Sequence, residues 1–280
     1  MILVTGATGT IGREVARLLA GRTSLRVLAR DPGRVSVPDP AVRVVRGSYD
    51  DPSSLERALR GVRSAFLVTN DPRRDHDTAF VEAAAAAGVR QLVKLSAAAV
   101  ADPAAHDLIT TWQRGNEHLL EDSGLAWTML RPRAFMSNTL SWAAGIRATG
   151  QVRALYGSSV NPCVDPRDVA EVAVRVLTED GHTGRRYTLT GPAPLSAVEQ
   201  TAELAKVLGR PLRFAELDPG QARERLLARY PADVVEALLH SAGRQRDGDK
   251  SRVEPTVEEL LGRPARTFAT WASDHAAAFA

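Results

Sequence analysis

Glycines at positions 6, 9 and 12 constrain this chain more than any other feature. They lie in Thr5-Gly6-Ala7-Thr8-Gly9-Thr10-Ile11-Gly12, between an apolar run at Ile2–Thr5 and an amphipathic run that follows. In the second run Ile11, Val15, Leu18 and Leu19 share one face at helical spacing. A glycine in the turn lets the backbone approach a bulky anion. The start of the helix offers that anion unpaired amides and the positive end of its dipole. The third glycine permits close packing of helix on strand. Strand, glycine turn and helix in this order read as the pyrophosphate cradle of a dinucleotide-binding fold.

The rest of the first two thirds keeps the same rhythm. Strands are expected at Leu25–Ala29, Val42–Arg46, Ala65–Thr69, Gln91–Ser96 and Ala126–Arg131. Helices are expected at Ile11–Gly21, Pro52–Arg60, Asp77–Gly88 and Leu108–Asp122, with Asp51-Pro52 as a cap and first-turn proline. Short apolar strands alternating with helices predict an α/β fold, a Rossmann-type doubly wound parallel sheet. Beyond Arg131 the pattern shifts to helices at Phe135–Thr149 and Pro166–Thr178 and a late strand at Tyr187–Thr190. Helical patterns at Ser196–Leu208 and Gln221–Leu227 follow, with one strand candidate at Leu212–Leu217. The expected division is a dinucleotide-binding domain over residues 1–190, carrying a substrate-side segment at 133–165. A small, mostly helical substrate lobe would follow over 191–280. The polar stretch Gly243–Arg252 reads as a mobile loop.

Composition narrows the class of partner. Hydrophobic residues make up 44% and charged residues 25% of the 280 positions, which suits a soluble globular chain with a sizeable core. The net charge is +3, and the arginines are dispersed with no basic stripe interleaved with aromatics, so nucleic acid is not an expected partner. No apolar run approaches the roughly 20 residues of a membrane span. The strand at the very start reads as the absence of a secretory leader, and the expected compartment is the cytoplasm. A single cysteine, Cys163, excludes an internal disulfide and gives no metal-ligand spacing, so no metal is expected. The expected partner is a small-molecule substrate; the oligomeric state is left open.

The end of the second strand selects the cofactor. An NAD site carries a carboxylate there, about 20 residues past the glycines, to bind the ribose hydroxyls. Here Leu25–Ala29 runs into Arg30, with Arg34 and Asp31 beside it. A guanidinium complements a 2′-phosphate, so NADP(H) is expected in preference to NAD(H), with NAD(H) still possible.

TGATGTIG, VLARDP, LVTN, VKLSA, EDSGLAWTMLRPRAFMSN and VDPRDVAEVAV together resemble the NmrA-like atypical short-chain dehydrogenases, and within them the quinone-reductase-like NAD(P)H-binding branch. The resemblance implies that Gly6, Thr8, Gly9, Thr10 and Ile11 hold the pyrophosphate and Arg30 the adenosine phosphate. It implies that Val68, Thr69 and Asn70 pass the cofactor ribose and that Ser96 and Ala97 flank the nicotinamide. Pro132 through Phe135 would close over it. The family often has an acidic residue near the adenine after the third strand, where this chain has Ser48-Tyr49.

The acid–base pair of many short-chain dehydrogenases, Tyr-x-x-x-Lys, is missing. Anchored on Glu117 and Ser123-Gly124, Ile109 falls at the tyrosine position and Gln113 at the lysine position. The catalytic acid is therefore unassigned. His106 and Lys94 are weak candidates, and Lys94 reads equally as a strand residue whose ammonium meets a carboxylate. His106, Trp112, Gln113, Met136 and Asn138 are candidates for a substrate pocket. Asp165 and Asp168 read as helix-start residues, and Cys163 lacks a visible base. The favoured function is an NADP(H)-dependent reductase acting on a quinone or similar conjugated carbonyl. The alternatives are a regulator sensing the cofactor ratio and a non-redox tailoring enzyme.

Overall fold

A computed structural model describes residues 1–37 and 39–280. The chain divides into two compact units, one of residues 1–101, 110–132 and 166–188, the other of 102–109, 133–165 and 189–280.

The first unit is a seven-stranded sheet. Its strands are β1 (Ile2–Val4), β2 (Leu25–Ala29), β3 (Arg43–Arg46), β4 (Ser64–Leu67), β5 (Gln91–Leu95), β6 (Ala126–Pro132) and β8 (Arg185–Leu189). They lie in the order β3-β2-β1-β4-β5-β6-β8. The pairings from β3 to β6 are all parallel, for example Leu3 opposite Arg26 and Ala65. Chain order reverses at β1, where β2 departs to one side and β4 to the other. The crossovers are α1 (Thr10–Leu19), α2 (Pro52–Leu59), α3 (His76–Ala86), α4 (Leu108–Asp122) and α6 (Pro166–Thr178).

Side-chain alternation decides which helices cover which face. Leu3, Leu28, Ala65, Leu67, Leu92 and Met129 share one buried cluster with Leu55 and Leu59 of α2, Phe80 and Ala84 of α3 and Leu120 of α4. The intervening residues Val4, Val27, Phe66 and Val93 are equally buried on the opposite side, where α1 and α6 pack together. The doubly wound sheet expected from the alternation is therefore present, and most expected boundaries lie within two residues of the observed ones.

The second unit is mostly helical: α5 (Ala143–Thr149), α7 (Ala197–Leu208), α8 (Pro219–Leu227), α9 (Ala232–Arg246), α10 (Thr256–Leu261) and α11 (Phe268–Asp274). A two-stranded parallel ribbon joins β7 (Gln151–Ala154) to β9 (Arg213–Glu216). Its core gathers Met136, Ile146, Val152, Leu204, Phe268, Trp271 and Phe279.

Two expectations need correction. Phe135–Thr149 is not one α-helix, because residues Met136–Trp142 form a 3₁₀ stretch ahead of α5. There Thr139 Oγ1 donates to the Met136 carbonyl and Ser141 Oγ to that of Asn138, giving the backbone local partners that compete with the α-helical ladder. The stretch Gly243–Arg252 is not a free loop either. Gly243–Arg246 finish α9, and Lys250 Nζ donates to the carbonyl and hydroxyl of Ser241 at 2.7 and 2.5 Å.

Candidate functional site

The turn between β1 and α1 is built for an anion. Gly6 stands at φ +67°, and a Cβ there would meet the Val68 side chain at 3.0 Å. A Cβ on Gly12 would lie 2.4 Å from the Gly6 carbonyl oxygen, so only glycine lets the helix start against the turn. The N-cap of α1 is Gly9, with no side-chain cap and no acid in the first turn. Side chains cap α2, α7, α8 and α11 (Asp51, Ser196, Asp218 and Thr267), whereas α3, α5, α9 and α10, like α1, have no such cap. What sets α1 apart is the glycine turn and the cavity beside it, which leave its first amides open to a negatively charged ligand.

A cavity of about 370 Å³ opens beside this turn, a volume suited to part of a nucleotide. Its walls include Gly6, Thr8, Gly9, Arg30, Val68 and Asn70 from the expected set. Arg30 is exposed and forms no ion pair among the described residues. Asp31, the acid that would oppose a phosphate, is engaged elsewhere: its carboxylate caps a 3₁₀ turn by accepting the Gly33 amide at 3.1 Å.

Sequence reasoning gave no role to several wall residues, among them Gly47, Ser48, Tyr49, Asp50, Asp71, Arg74 and His76. Tyr49 donates to the Val68 carbonyl at 2.8 Å and packs edge-on against Phe80. Burial pushes its phenol well up, so it holds its proton at neutral pH. Asp50 bonds to His76 Nε2 at 3.2 Å and to Arg74 Nη1 at 2.9 Å, and these partners hold its carboxyl below the usual carboxylate range. An acid is therefore present after the third strand, at Asp50 rather than at Ser48-Tyr49. The sequence signal was its place two residues beyond Ser48.

The ends of β4 and β5 carry two closed polar networks. Lys94 is fully buried, with Nζ 2.6 Å from Asp77 Oδ1 and 5.8 Å from the Trp112 ring centre. Asp77 Oδ2 accepts from Thr69 Oγ1 at 2.7 Å and from Asn116 Nδ2 at 3.0 Å. The Lys94 ammonium thus meets a carboxylate, as the structural reading of that residue expected. In the second network Ser96 Oγ donates to Glu117 Oε1 at 2.5 Å, and Arg131 binds both Glu117 oxygens. Both hydroxyls, Thr69 and Ser96, spend their protons on carboxylates. Neither is a ready donor to an acceptor's developing charge.

The remaining candidates are dispersed. Thr10 and Ile11 open α1, Ala97 follows β5 and Pro132 ends β6. Gln113 is buried on α4 and its Oε1 has no hydrogen-bond partner. His106, Phe135, Met136 and Asn138 belong to the second unit, where His106 and Asn138 are exposed and Met136 joins the apolar core. Asp165 and Asp168 are fully buried at the start of α6. Burial pushes the Cys163 thiol up to about 11, which removes the thiolate needed by a nucleophile.

Comparison with known proteins agrees with this geometry. The sequence model of a family described as NAD(P)H-binding matches residues 6–180. The chain is 59% identical over 280 residues, 100% of its length and 99% of the relative's, to a (4-alkanoyl-5-oxo-2,5-dihydrofuran-3-yl)methyl phosphate reductase of Streptomyces griseus. It is 36% identical over 284 residues, 100% of its length and 99% of the relative's, to an NAD(P)H azoreductase of Xenophilus azovorans. The NADPH-dependent quinone oxidoreductase of Escherichia coli, solved with NADPH, superposes with a TM-score of 0.86 at 26% identity, covering 98% of this chain and 99% of that one. Sheet, glycine turn and cavity define an NAD(P)H-dependent oxidoreductase of Rossmann type. More narrowly, the chain belongs to the NAD(P)H-binding family, and the likeness to its quinone-reductase branch is borne out.

Proposed function

We propose that the protein uses NADPH to reduce the ring double bond of a phosphorylated acyl butenolide. The reading is carried by the 59% identity over the full chain to the Streptomyces griseus reductase. The residues present support it independently. NADPH, when bound, supplies a hydride. The uncapped start of α1 with Gly6 and Gly9 would hold its pyrophosphate, and Arg30 would pair with its 2′-phosphate. Val68, Thr69 and Asn70 would pass its ribose, Ser96 and Ala97 would flank the nicotinamide, and the segment from Pro132 to Phe135 would close over it.

The missing acid then has a chemical explanation. Ile109 and Gln113 exchange no protons near neutrality, and Thr69, Ser96 and Lys94 are committed to buried carboxylates. Such a site suits an acceptor whose reduced anion is stable by itself. In a 4-acyl butenolide, hydride addition at the carbon bearing the phosphooxymethyl group leaves an enolate shared between the lactone and acyl carbonyls. A 1,3-dicarbonyl enolate is a weak base, and water can deliver the proton to the ring carbon between the two carbonyls. Quinones share the property of giving a delocalised anion.

The test is NADPH oxidation with a synthetic 4-alkanoyl butenolide phosphate, using stereospecifically deuterated cofactor. The label should appear at the carbon bearing the phosphooxymethyl group, on one face. Tight NADPH binding with no oxidation by this substrate or by any quinone or enone would defeat the reading and favour the cofactor-sensing regulator.

A further inference from the structure

Two partly buried cations of the second unit, Arg133 and Lys250, form no ion pair among the described residues. Arg133 immediately follows β6, beyond the carboxyl end of that strand, the edge at which open α/β sheets take their ligands. Its backbone amide donates to the Leu189 carbonyl at 2.9 Å, while its Nε is buried without a hydrogen-bond partner. Lys250 is half-buried and meets only the neutral oxygens of Ser241. Both lack an ion pair among the described residues. Nearby Arg244, by contrast, is paired with Asp102 and Asp249.

Backbone contacts bring the two segments together: Arg133 bonds to Leu189, and the next residue, Thr190, exchanges hydrogen bonds with Glu254, four residues past Lys250, at 3.2 and 3.0 Å. Burial, followed by the charges of Arg133 and Arg244, brings the Lys250 ammonium down to about 8, against weaker opposition from Asp107 and Asp249. Arg133 loses part of its affinity for its proton to burial, with only Glu254 opposing, and Glu254 already pairs with Arg252. Two half-buried like charges without counter-ions destabilise a fold unless an anion joins them. An arginine fork with a lysine point charge is the donor set that recognises a phosphate monoester.

We propose that Arg133 and Lys250 form the subsite that binds the phosphate of the substrate, setting preference for a phosphorylated acceptor over its free alcohol. The proposal rests on the butenolide phosphate reading and names the residues that read the phosphate.

The experiment compares kcat/KM for the butenolide phosphate and the corresponding alcohol. Wild type should favour the phosphate by about 100-fold or more, from two charge-assisted contacts. Arg133→Met and Lys250→Met should each lower that ratio by about tenfold or more, and Arg133→Lys should retain part of it. A ratio unaltered in both methionine variants, or no preference in wild type, overturns the proposal. If wild type reduces neither butenolide, the substrate reading fails and a second measurement decides the subsite. Phenyl phosphate is titrated by calorimetry into the NADP-loaded protein. Binding weakened by both methionine substitutions sustains the site; no binding, or binding indifferent to them, overturns it.

Discussion

Replacing Lys94 by methionine separates a structural lysine from a proton donor. Its Nζ lies 2.6 Å from Asp77 Oδ1, and the two residues are 0% and 2% exposed, so solvent offers little screening. Removing the ammonium leaves a buried carboxylate whose other oxygen keeps the bonds from Thr69 and Asn116. Breaking one partner of such a pair costs about 3–5 kcal/mol. The two remaining hydrogen bonds place Lys94→Met toward the lower end. Asp77→Asn strands the ammonium and should be comparably damaging. The double variant removes both charges, so its loss should fall short of the sum by about 2 kcal/mol. Urea unfolding of the four proteins measures this coupling, and NADPH oxidation by the folded fraction measures chemistry. Additivity within about 0.5 kcal/mol would refute the pairing argument. Loss of kcat in a folded double variant would make Lys94 a participant in the reaction.

Three further outcomes are expected. Arg30→Ala should weaken NADPH by roughly 10-fold, leaving NADH nearly unchanged, because the guanidinium is exposed and its phosphate pairing is partly screened; competitive titration of both cofactors checks it, and equal losses would remove Arg30 from the site. Gly9 has φ −95° and ψ 179°, which any residue adopts, and a Cβ there meets the Gly6 carbonyl oxygen at 3.3 Å, so Gly9→Val should fold with a small loss of stability yet fail to bind NADPH by calorimetry because its side chain would enter the cavity. Lys250 is held at about 8 in the fold against about 10.4 unfolded, so between these values the unfolded chain binds more protons and stability rises with pH. The urea midpoint should climb from about pH 8 to 10 in wild type and stay flatter in Lys250→Met, with an equal slope in both excluding the Lys250 argument.

The first unit was legible because its signals are local. Apolar runs, a proline cap at Asp51-Pro52 and a glycine turn each specify a few consecutive residues, and Leu25–Ala29, Leu108–Asp122 and Pro166–Thr178 coincide with the elements formed. The second unit was less legible for the same reason. The ribbon strand Gln151–Ala154 has four residues, only one of them fully buried, and takes its register from a strand some sixty positions later. At the site, the glycine cradle and Arg30 were visible as a pattern. The Lys94–Asp77 and Ser96–Glu117–Arg131 networks were not, because each joins residues brought together only by the sheet and its helices.

The second unit is assembled from 102–109, 133–165 and 189–280, so the backbone passes between the units five times, at 101/102, 109/110, 132/133, 165/166 and 188/189. No single cut releases the lobe as a cassette, and no single insertion replaces it. Exchange of whole lobes between relatives by recombination would sever the sheet. During synthesis, too, the two early lobe segments wait for a partner that emerges only after the last strand of the sheet.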